Sequence, residues 1–323
     1  MIIDSQFKPA WWMSNRHLQT IAAKWLKRNE SIAVTQSSLE TPDDDFIDLV
    51  WTEIPDKNSE KPIVVMLHGL QGSAESHYAK GMLNQIKAKG WIGLLMHFRG
   101  CGGRPNRQGP SYHSGDIRDI SFLTKWLSAQ YPQSPKLAIG YSLGGNVLTR
   151  YLASEPNNPY KAASIVCAPL DLASCSKRIG SGVSKIYQKY LVDMLKKSTY
   201  EKIDLQLLPS ICPAALSKIT KLWDFDHMVT APINGFNGAE HYYTEASGKP
   251  VLAKIKQPCL FIHAADDPFL DHKHIVPKAE LPRNITFEVC KKGGHVGFVA
   301  GNNPFKPKFW LEQRIPSFLS TQL

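Results

Sequence analysis

The sequence predicts an α/β protein: a mostly parallel central sheet flanked by helices, with a helical cap inserted between two of its strands. Three observations carry this expectation. From Pro62 onward, short apolar runs alternate with helix-length amphipathic stretches, the pattern of a mainly parallel sheet. Residues 136–151 read as a strand, a glycine-rich turn and a helix. The alternation stops at Leu170, gives way to helix-compatible sequence until about Pro250, and resumes at Pro258. Residues 1–323 are therefore expected to form one domain, with a cap insertion at about 171–250.

In chain order, Pro9-Ala10-Trp11-Trp12-Met13 precedes a predicted helix for which Ser14 is a suitable N-cap, with Leu18, Ile21, Ala22 and Trp25 at helical spacing. The tryptophan pair is expected to pack against the main domain. Ile32 to Leu39 and Phe46 to Ile54 read as an antiparallel hairpin turned by Thr41-Pro42-Asp43-Asp44-Asp45. Pro62-Ile63-Val64-Val65-Met66-Leu67 is continuously apolar, as a strand covered on both faces must be. A glycine loop at His68-Gly69-Leu70-Gln71-Gly72-Ser73 follows, then a helix from about His77 to Lys89 and a strand over Trp91 to Met96. After the loop Phe98-Arg99-Gly100-Cys101-Gly102-Gly103, Ser114 is expected to cap a helix reaching about Ala129. A strand at Ala162 to Ala168 leads into the cap, whose segments around 183–197, 200–208, 213–222 and 224–230 look helical and whose 232–248 stretch looks turn-rich. A strand that starts at Pro258 and ends in the paired acids Asp266-Asp267, a strand at Ile285 to Cys290 and a helix over about Pro307 to Leu319 close the chain.

The chemistry centres on Gly140-Tyr141-Ser142-Leu143-Gly144, a G-x-S-x-G turn between strand and helix. Such a turn holds its serine in a strained conformation with the hydroxyl above the sheet, and the flanking positions must lack bulk because strand and helix approach closely. A serine hydroxyl needs a base to take its proton and an acid to orient that base. After Ser142, paired acids Asp266-Asp267 end one strand and His295 sits in the glycine loop after the next, so all three fall at carboxyl ends of strands. Asp267 is the expected acid, because Pro268 and Phe269 give it a rigid turn, while Asp266 is expected to satisfy loop amides. Asp171 is a rival. The backbone N–H groups of Leu143 and Leu70 are the expected oxyanion donors, with His68 bracing the loop that carries Leu70.

Composition excludes other classes. The formal charge is +10, yet lysines occur in ones and twos, such as Lys27-Arg28, Lys196-Lys197 and Lys291-Lys292, with no arginine-rich helix or aromatic-interleaved motif. No nucleic-acid partner is expected. The most lysine-rich region lies in the cap, at Lys177, Arg178, Lys185, Lys189, Lys196 and Lys197, and reads first as solvated helix faces. Its sharper meaning is attraction of an anionic or lipid-headgroup substrate. No run of about eighteen apolar residues exists, so no integral membrane segment is expected. The N-terminus has neither a basic start nor an apolar core of a signal peptide. Six cysteines without a C-x-x-C pair suit reduced thiols, which points to the cytoplasm. His272-Lys273-His274 lacks a third ligand with zinc-like spacing and no phosphate-binding glycine motif occurs, so neither a metal nor a cofactor is expected.

The chain resembles the YheT-type branch of the α/β-hydrolases, related to eukaryotic α/β-hydrolase-domain lipases and plant embryogenesis-associated hydrolase-like proteins. The resemblance runs nearly end to end. It rests on Pro9-Ala10-Trp11-Trp12 with His17-Leu18-Gln19-Thr20, on His68-Gly69-Leu70, on Phe98 to Gly103, on Gly140 to Asn146, on Asp266-Asp267-Pro268-Phe269 and on Gly293 to Phe298. The elbow is shared with many hydrolases; the tryptophan–HLQT opening and the FRGCGG loop are more specific. The resemblance implies an α/β-hydrolase fold, hydrolysis of carboxylic esters, and a Ser-His-Asp triad at Ser142, His295 and Asp267. Two other readings stand beside the esterase: a lysophospholipase or thioesterase acting on lipid-like substrates, motivated by the apolar, lysine-bearing cap, and a non-catalytic binding module on the same fold. Serine at the nucleophile position disfavours a dehalogenase. The substrate is expected to be a small-molecule or lipid-like ester, and the sequence is silent on oligomeric state.

Overall fold

Among the residues that the computed structural model describes, 1–26, 30–277 and 281–323, one sheet of nine strands organises the chain. The Lys27-Arg28 pair lies outside these residues. The strands are β1 (Ile2–Asp4), β2 (Thr35–Glu40), β3 (Phe46–Trp51), β4 (Ile63–Leu67), β5 (Ile92–Met96), β6 (Lys136–Tyr141), β7 (Tyr160–Val166), β8 (Cys259–Ala264) and β9 (Ile285–Cys290). Across the sheet they run β1-β9-β8-β7-β6-β4-β5-β3-β2. From β5 through β4 to β9 and β1 every neighbour is parallel, and β2-β3-β5 is antiparallel. Every residue of β4, β5, β6 and β8 is buried, as the continuous apolar runs require. Each fully buried Val, Leu, Ile or Met side chain there contributes about 1.5–3 kcal/mol.

The first helices are α1 (Arg16–Leu26), α2 (His77–Ala88), α3 (Arg118–Gln130) and α4 (Leu143–Ser154). Asn15 rather than Ser14 caps α1, its Oδ1 accepting from the N–H groups of His17 (2.8 Å) and Leu18 (3.3 Å). The apolar stripe of α1 faces outward: Leu18, Ile21 and Trp25 are exposed, while Gln19 and Ala23 are buried. Gln19 takes the inner side because it has backbone partners there. Its Nε2 donates to the carbonyls of Met13 (2.8 Å) and Val299 (3.0 Å), and its Oε1 accepts from the Val299 N–H (2.7 Å). Ser114 does not cap α3, which begins four residues later. Its N–H donates to Tyr242 Oη (2.9 Å) and its carbonyl accepts from Asn146 (2.7 Å), while the Asp116 carboxylate takes the Arg118 N–H (3.1 Å). Arg99, after β5, is almost fully buried and ties the hairpin turn to α3 through Asp43 (2.6 Å), Asp45 (3.2 Å) and Asp119 (2.6 Å).

Between β7 and β8 the chain forms α5 (Leu172–Ile179), α6 (Lys185–Asp204), α7 (Pro213–Ser217), α8 (Leu222–Phe225), a π-helical turn at Asp226–Thr230, α9 (Ala231–Ile233) and α10 (Ala239–Ala246). The expected break near residue 198 is absent. Ser198 and Thr199 bond their hydroxyls back to the carbonyls of Met194 and Leu195 and so stay within one helix. The stretch read as turn-rich contains α10, which buries Tyr242, Tyr243 and Ala246. Asn146 on α4 joins this layer to the sheet, donating to the carbonyls of Ser114 (2.7 Å) and Ala246 (2.8 Å) and accepting from the Gly248 N–H (2.9 Å).

α11 (His272–Ile275) and α12 (Leu311–Ser320) complete the helices, α12 starting later than expected because Lys308–Phe309 pairs with Val299–Ala300 in a two-stranded ribbon. The chain path reverses at the centre of the sheet: β4 leads outward to β5, whereas β6 leads the other way to β7. Right-handed crossovers then put α2 on one face and α3 and α4 on the other. Contacts of α2 with α12, and of α3 with α4, fit this layering. The switch point lies between the neighbouring carboxyl ends of β4 and β6, where α/β sheets place their ligands.

Candidate active site

Ser142 follows β6 at that switch point with φ 49° and ψ −121°, a strained conformation for a non-glycine residue. The turn is pinned on both sides: Ser142 N–H donates to Val166 O (2.8 Å) and Gly144 N–H to His68 O (3.1 Å). A Cβ at Gly140 would lie 2.6 Å from Gly144 O, and one at Gly144 would lie 2.4 Å from His68 O. Backbone occupies the space on both sides, so glycine is required at both positions.

The structure brings Ser142, His295 and Asp267 into one hydrogen-bonded line. His295 Nε2 lies 2.9 Å from Ser142 Oγ, and His295 Nδ1 lies 2.8 Å from Asp267 Oδ2. Because a carboxylate only accepts, Nδ1 carries the proton and Nε2 is free to accept from the serine hydroxyl. Asp267 is nearly inaccessible to solvent, and its Oδ1 accepts the Phe269 N–H (2.7 Å), which fixes the carboxylate plane. Asp266 instead accepts the Gly294 N–H (3.0 Å), the loop-amide role expected of it. Asp171 is turned to another use: it caps α5 through the Ser174 N–H (3.0 Å).

Leu70 and Leu143 both line the cavity beside Ser142. The neighbours of Leu70 are held by tyrosines, Gly69 N–H donating to Tyr78 Oη (2.8 Å) and Gln71 N–H to Tyr112 Oη (2.8 Å). Among the described residues the N–H groups of Leu70 and Leu143 have no acceptor, so both donors are unspent where an oxyanion would develop. His68 does brace the loop: its Nδ1–H donates to Gly69 O (2.7 Å), and its Nε2 accepts the Phe98 N–H (3.0 Å).

Several positioning residues were not identified from sequence. Thr20 of α1 accepts the His295 N–H on its hydroxyl (2.9 Å), which in turn donates to Arg16 O (2.8 Å). The Phe269 ring stacks on His295 with centroids 4.1 Å apart and planes 6° apart. Cys167, at φ 48° after β7, sets its thiol against Asp267 and the Val296 backbone. Burial pushes that thiol well up, so it stays protonated beside the carboxylate. Two of the three carried a sequence signal: Thr20 in the HLQT motif, without a stated role, and Phe269 as part of the turn that presents Asp267, without its contact to His295.

The cavity above these groups has a volume of about 620 Å3 and is walled mainly by apolar side chains, among them Leu172, Met194, Leu195, Phe225 and Val229. Two buried charges interrupt it. Lys202 donates to the carbonyls of Gln108 (2.9 Å) and Gly109 (2.8 Å), and burial pulls it down to about 8. Burial pushes Asp226 up to about 6 against bonds from Tyr243 Oη (2.7 Å) and Thr230 Oγ1 (2.8 Å). Among the described residues, the group of ligand-type side chains with converging atoms is Cys167, Asp267 and His295, where carboxylate and imidazole are already bonded to each other. The His272 ring stacks on His263, and His274 faces Asp271.

The chain matches the family model described as serine aminopeptidase, S33, over residues 58–295. It is 42% identical over 325 residues to the Escherichia coli (strain K12) protein named "Putative esterase YheT", covering 99% of this chain and 94% of that protein. The chain belongs to the YheT-type α/β-hydrolases. It is also 24% identical to phospholipase ABHD3 of Bos taurus, over 93% of this chain and 75% of that protein. The solved Pyrococcus furiosus esterase Pf2001 shares the α/β-hydrolase fold at 17% identity, with a TM-score of 0.55 over 91% of each chain. These likenesses show an esterase and lipase family.

Buried neutral histidines beneath the site give the fold an acid sensitivity. Burial drives His68 down to about 3 and His263 to about 4 from an ordinary 6.5. The unfolded chain binds a proton at each ring below about 6.5 while the folded chain does not, so the stabilisation is full above that pH and is lost as pH falls toward 4 and 3. At pH 5 each ring costs about 2 kcal/mol, and Asp226, raised to about 6, offsets about 1 kcal/mol in the opposite sense. The melting temperature is expected to fall by about 3–5 °C between pH 7 and pH 5. A calorimetric melt that is flat across that range contradicts this assignment.

Proposed function

We propose that the protein is a serine hydrolase of carboxylic esters that works through a Ser-His-Asp triad and an acyl-enzyme. Ser142 Oγ attacks the acyl carbon while its proton passes to His295 Nε2. Asp267 holds the Nδ1–H side of the ring and stabilises the imidazolium. The N–H groups of Leu70 and Leu143 receive the oxyanion of the tetrahedral intermediate. Collapse returns the Nε2 proton to the leaving alcohol oxygen and leaves the acyl group on Ser142. Water then attacks, gives its proton to the same nitrogen, and frees the acid and the serine. The observation that carries this reading is the unbroken Ser142–His295–Asp267 line at 2.9 and 2.8 Å. One catalytic unit with its cap at about 171–250 fits the cavity walls, and six thiols outside any disulfide favour a reducing cytoplasm.

The apolar cavity favours a second reading within the same chemistry: a lysophospholipase or thioesterase acting on lipid-like acyl groups. A fluorophosphonate probe and a chain-length series of p-nitrophenyl esters test both. The expected result is covalent labelling at Ser142 and turnover that rises with acyl length. Labelling with activity confined to short acyl chains leaves the esterase and removes the lipid reading. No labelling and no turnover across the series overturns the hydrolase and favours a non-catalytic binding module.

A further inference from the structure

The outward stripe of α1 does not stand alone. Leu18, Ile21 and Trp25 recur at helical spacing on its open side, and Val183, in the turn before α6, forms a second stripe with Ile186 and Tyr190 at the start of that helix. Trp25 is 67% exposed and Ile186 is 70% exposed, whereas a monomer's helix stripes of this kind are ordinarily buried. The two stripes are neighbours. His17 on α1 stacks on Tyr187 of α6 with ring centroids 5.8 Å apart, and His17 Nδ1 lies 3.0 Å from Tyr187 Oη. Ile21, Trp25, Ile186 and Tyr190 also line the cavity that contains Ser142, so the apolar face surrounds its mouth.

Charge identifies the occupant. α1 carries Arg16 and Lys24 and no carboxylate, and residues 177–197 carry six Lys or Arg against one carboxylate, Asp193. Asp193 is paired with Lys189, and among the described residues Lys24 and Lys185 have no ion-pair partner. A second copy would bring the same positive charge to the same face and be repelled. An anionic bilayer surface complements it: apolar and aromatic side chains enter the boundary region while lysines around them meet headgroups. A tryptophan and a tyrosine at the edge of the stripes suit that boundary, where one side of the ring is apolar and the other wet.

We infer that the face formed by α1 and the start of α6 docks on an anionic lipid bilayer, with the cavity mouth turned toward the membrane. This goes beyond the hydrolase reading and does not depend on it, because docking requires no turnover. The docking is a contact in the plane of the bilayer surface, made by the apolar face of α1 and the start of α6.

The test is co-sedimentation of the full chain carrying Ser142→Ala, which leaves lipid intact, with phosphatidylglycerol–phosphatidylcholine vesicles and with pure phosphatidylcholine vesicles. The partition coefficient is expected to be at least about tenfold higher on the anionic vesicles, with the difference shrinking at high salt. Adding Trp25→Glu with Ile186→Glu is expected to lower anionic binding at least about tenfold. Ile54→Glu is the control: Ile54 is exposed beyond β3, near the amino end of β5 and thus at the far end of the sheet from Ser142, and binding should be unchanged. Should the double variant fail to fold, Lys24→Glu with Lys185→Glu must abolish the anionic preference. Absence of vesicle binding, equal binding to both vesicle types, or binding that these variants leave intact overturns the inference. A stable dimer in solution that the double variant converts to monomer also overturns it, by assigning the face to a second copy. None of these outcomes bears on whether Ser142 reacts with a fluorophosphonate.

Discussion

Ser142→Ala is expected to lower kcat for ester hydrolysis by about 10^5- to 10^6-fold while leaving the melting temperature nearly unchanged. Without the hydroxyl no acyl-enzyme forms, and only binding and the unspent N–H groups of Leu70 and Leu143 remain to help water. Stability should hold because 142 already accommodates a Cβ and alanine removes only the oxygen, together with its 2.9 Å contact to His295. Ser142 also sits at φ 49°, so a little strain persists in the variant and the two melts should nearly coincide. Steady-state rates on a p-nitrophenyl ester, with calorimetry on the same samples, check both halves. A variant that retains more than about one-hundredth of wild-type kcat removes Ser142 from the nucleophile role.

The two adjacent acids give the second large effect and a contrast. Asp267→Asn is expected to cost about 10^4-fold in kcat, because the amide can donate to Nδ1 and turn the imidazole to the wrong tautomer with Nε2 protonated. Asp266→Asn keeps an acceptor for the Gly294 N–H at 3.0 Å and should change kcat by less than about tenfold. Measuring both over a pH series separates orientation of His295 from simple loop damage. Equal losses in the two variants would mean that the loop, and not the carboxylate at 267, is what the site requires.

The sheet was legible because its strands are apolar throughout and punctuated by proline and glycine, so β4 lies within a residue of where the sequence puts it, while β8 ends at Ala264, short of the paired acids that the sequence assigned to its end. β1 was not: three residues, Ile2 to Asp4, offer no period, and they become a strand only by lying against Phe287 to Val289. The helices between β7 and β8 were misjudged where side-chain hydroxyls decide the outcome. Ser198 and Thr199 look like breakers in sequence but satisfy the helix's own carbonyls in three dimensions. α1 was legible as a helix and illegible in its orientation, since hydropathy cannot foresee that a glutamine with three backbone partners takes the inner side.

The candidate site divides in the same way. Ser142, Asp267 and His295 could be ordered from sequence because each closes a strand at the same end of the sheet. The partners that hold them could not. Thr20 reaches the His295 N–H from 275 residues away, and Cys167 reaches Asp267 through a strained turn that resembles any strand exit. Among the described residues, five of the seven non-glycine residues with positive φ, Gln71, Ser142, Cys167, Val296 and Phe298, lie at this edge of the sheet. Local propensity is overridden there, which is where reading from sequence is weakest.

The span between Thr20 and His295 also bears on the order of events during synthesis. Thr20 and β1 are synthesised before β4 to β8, whereas the loop that Thr20 braces and β9, which β1 joins, are synthesised after them. A chain grown as far as β7 already carries the Thr20 hydroxyl and the turn at Ser142 and still lacks the imidazole that both of them meet. The His295 loop is therefore steadied only when two segments 275 residues apart in sequence come together.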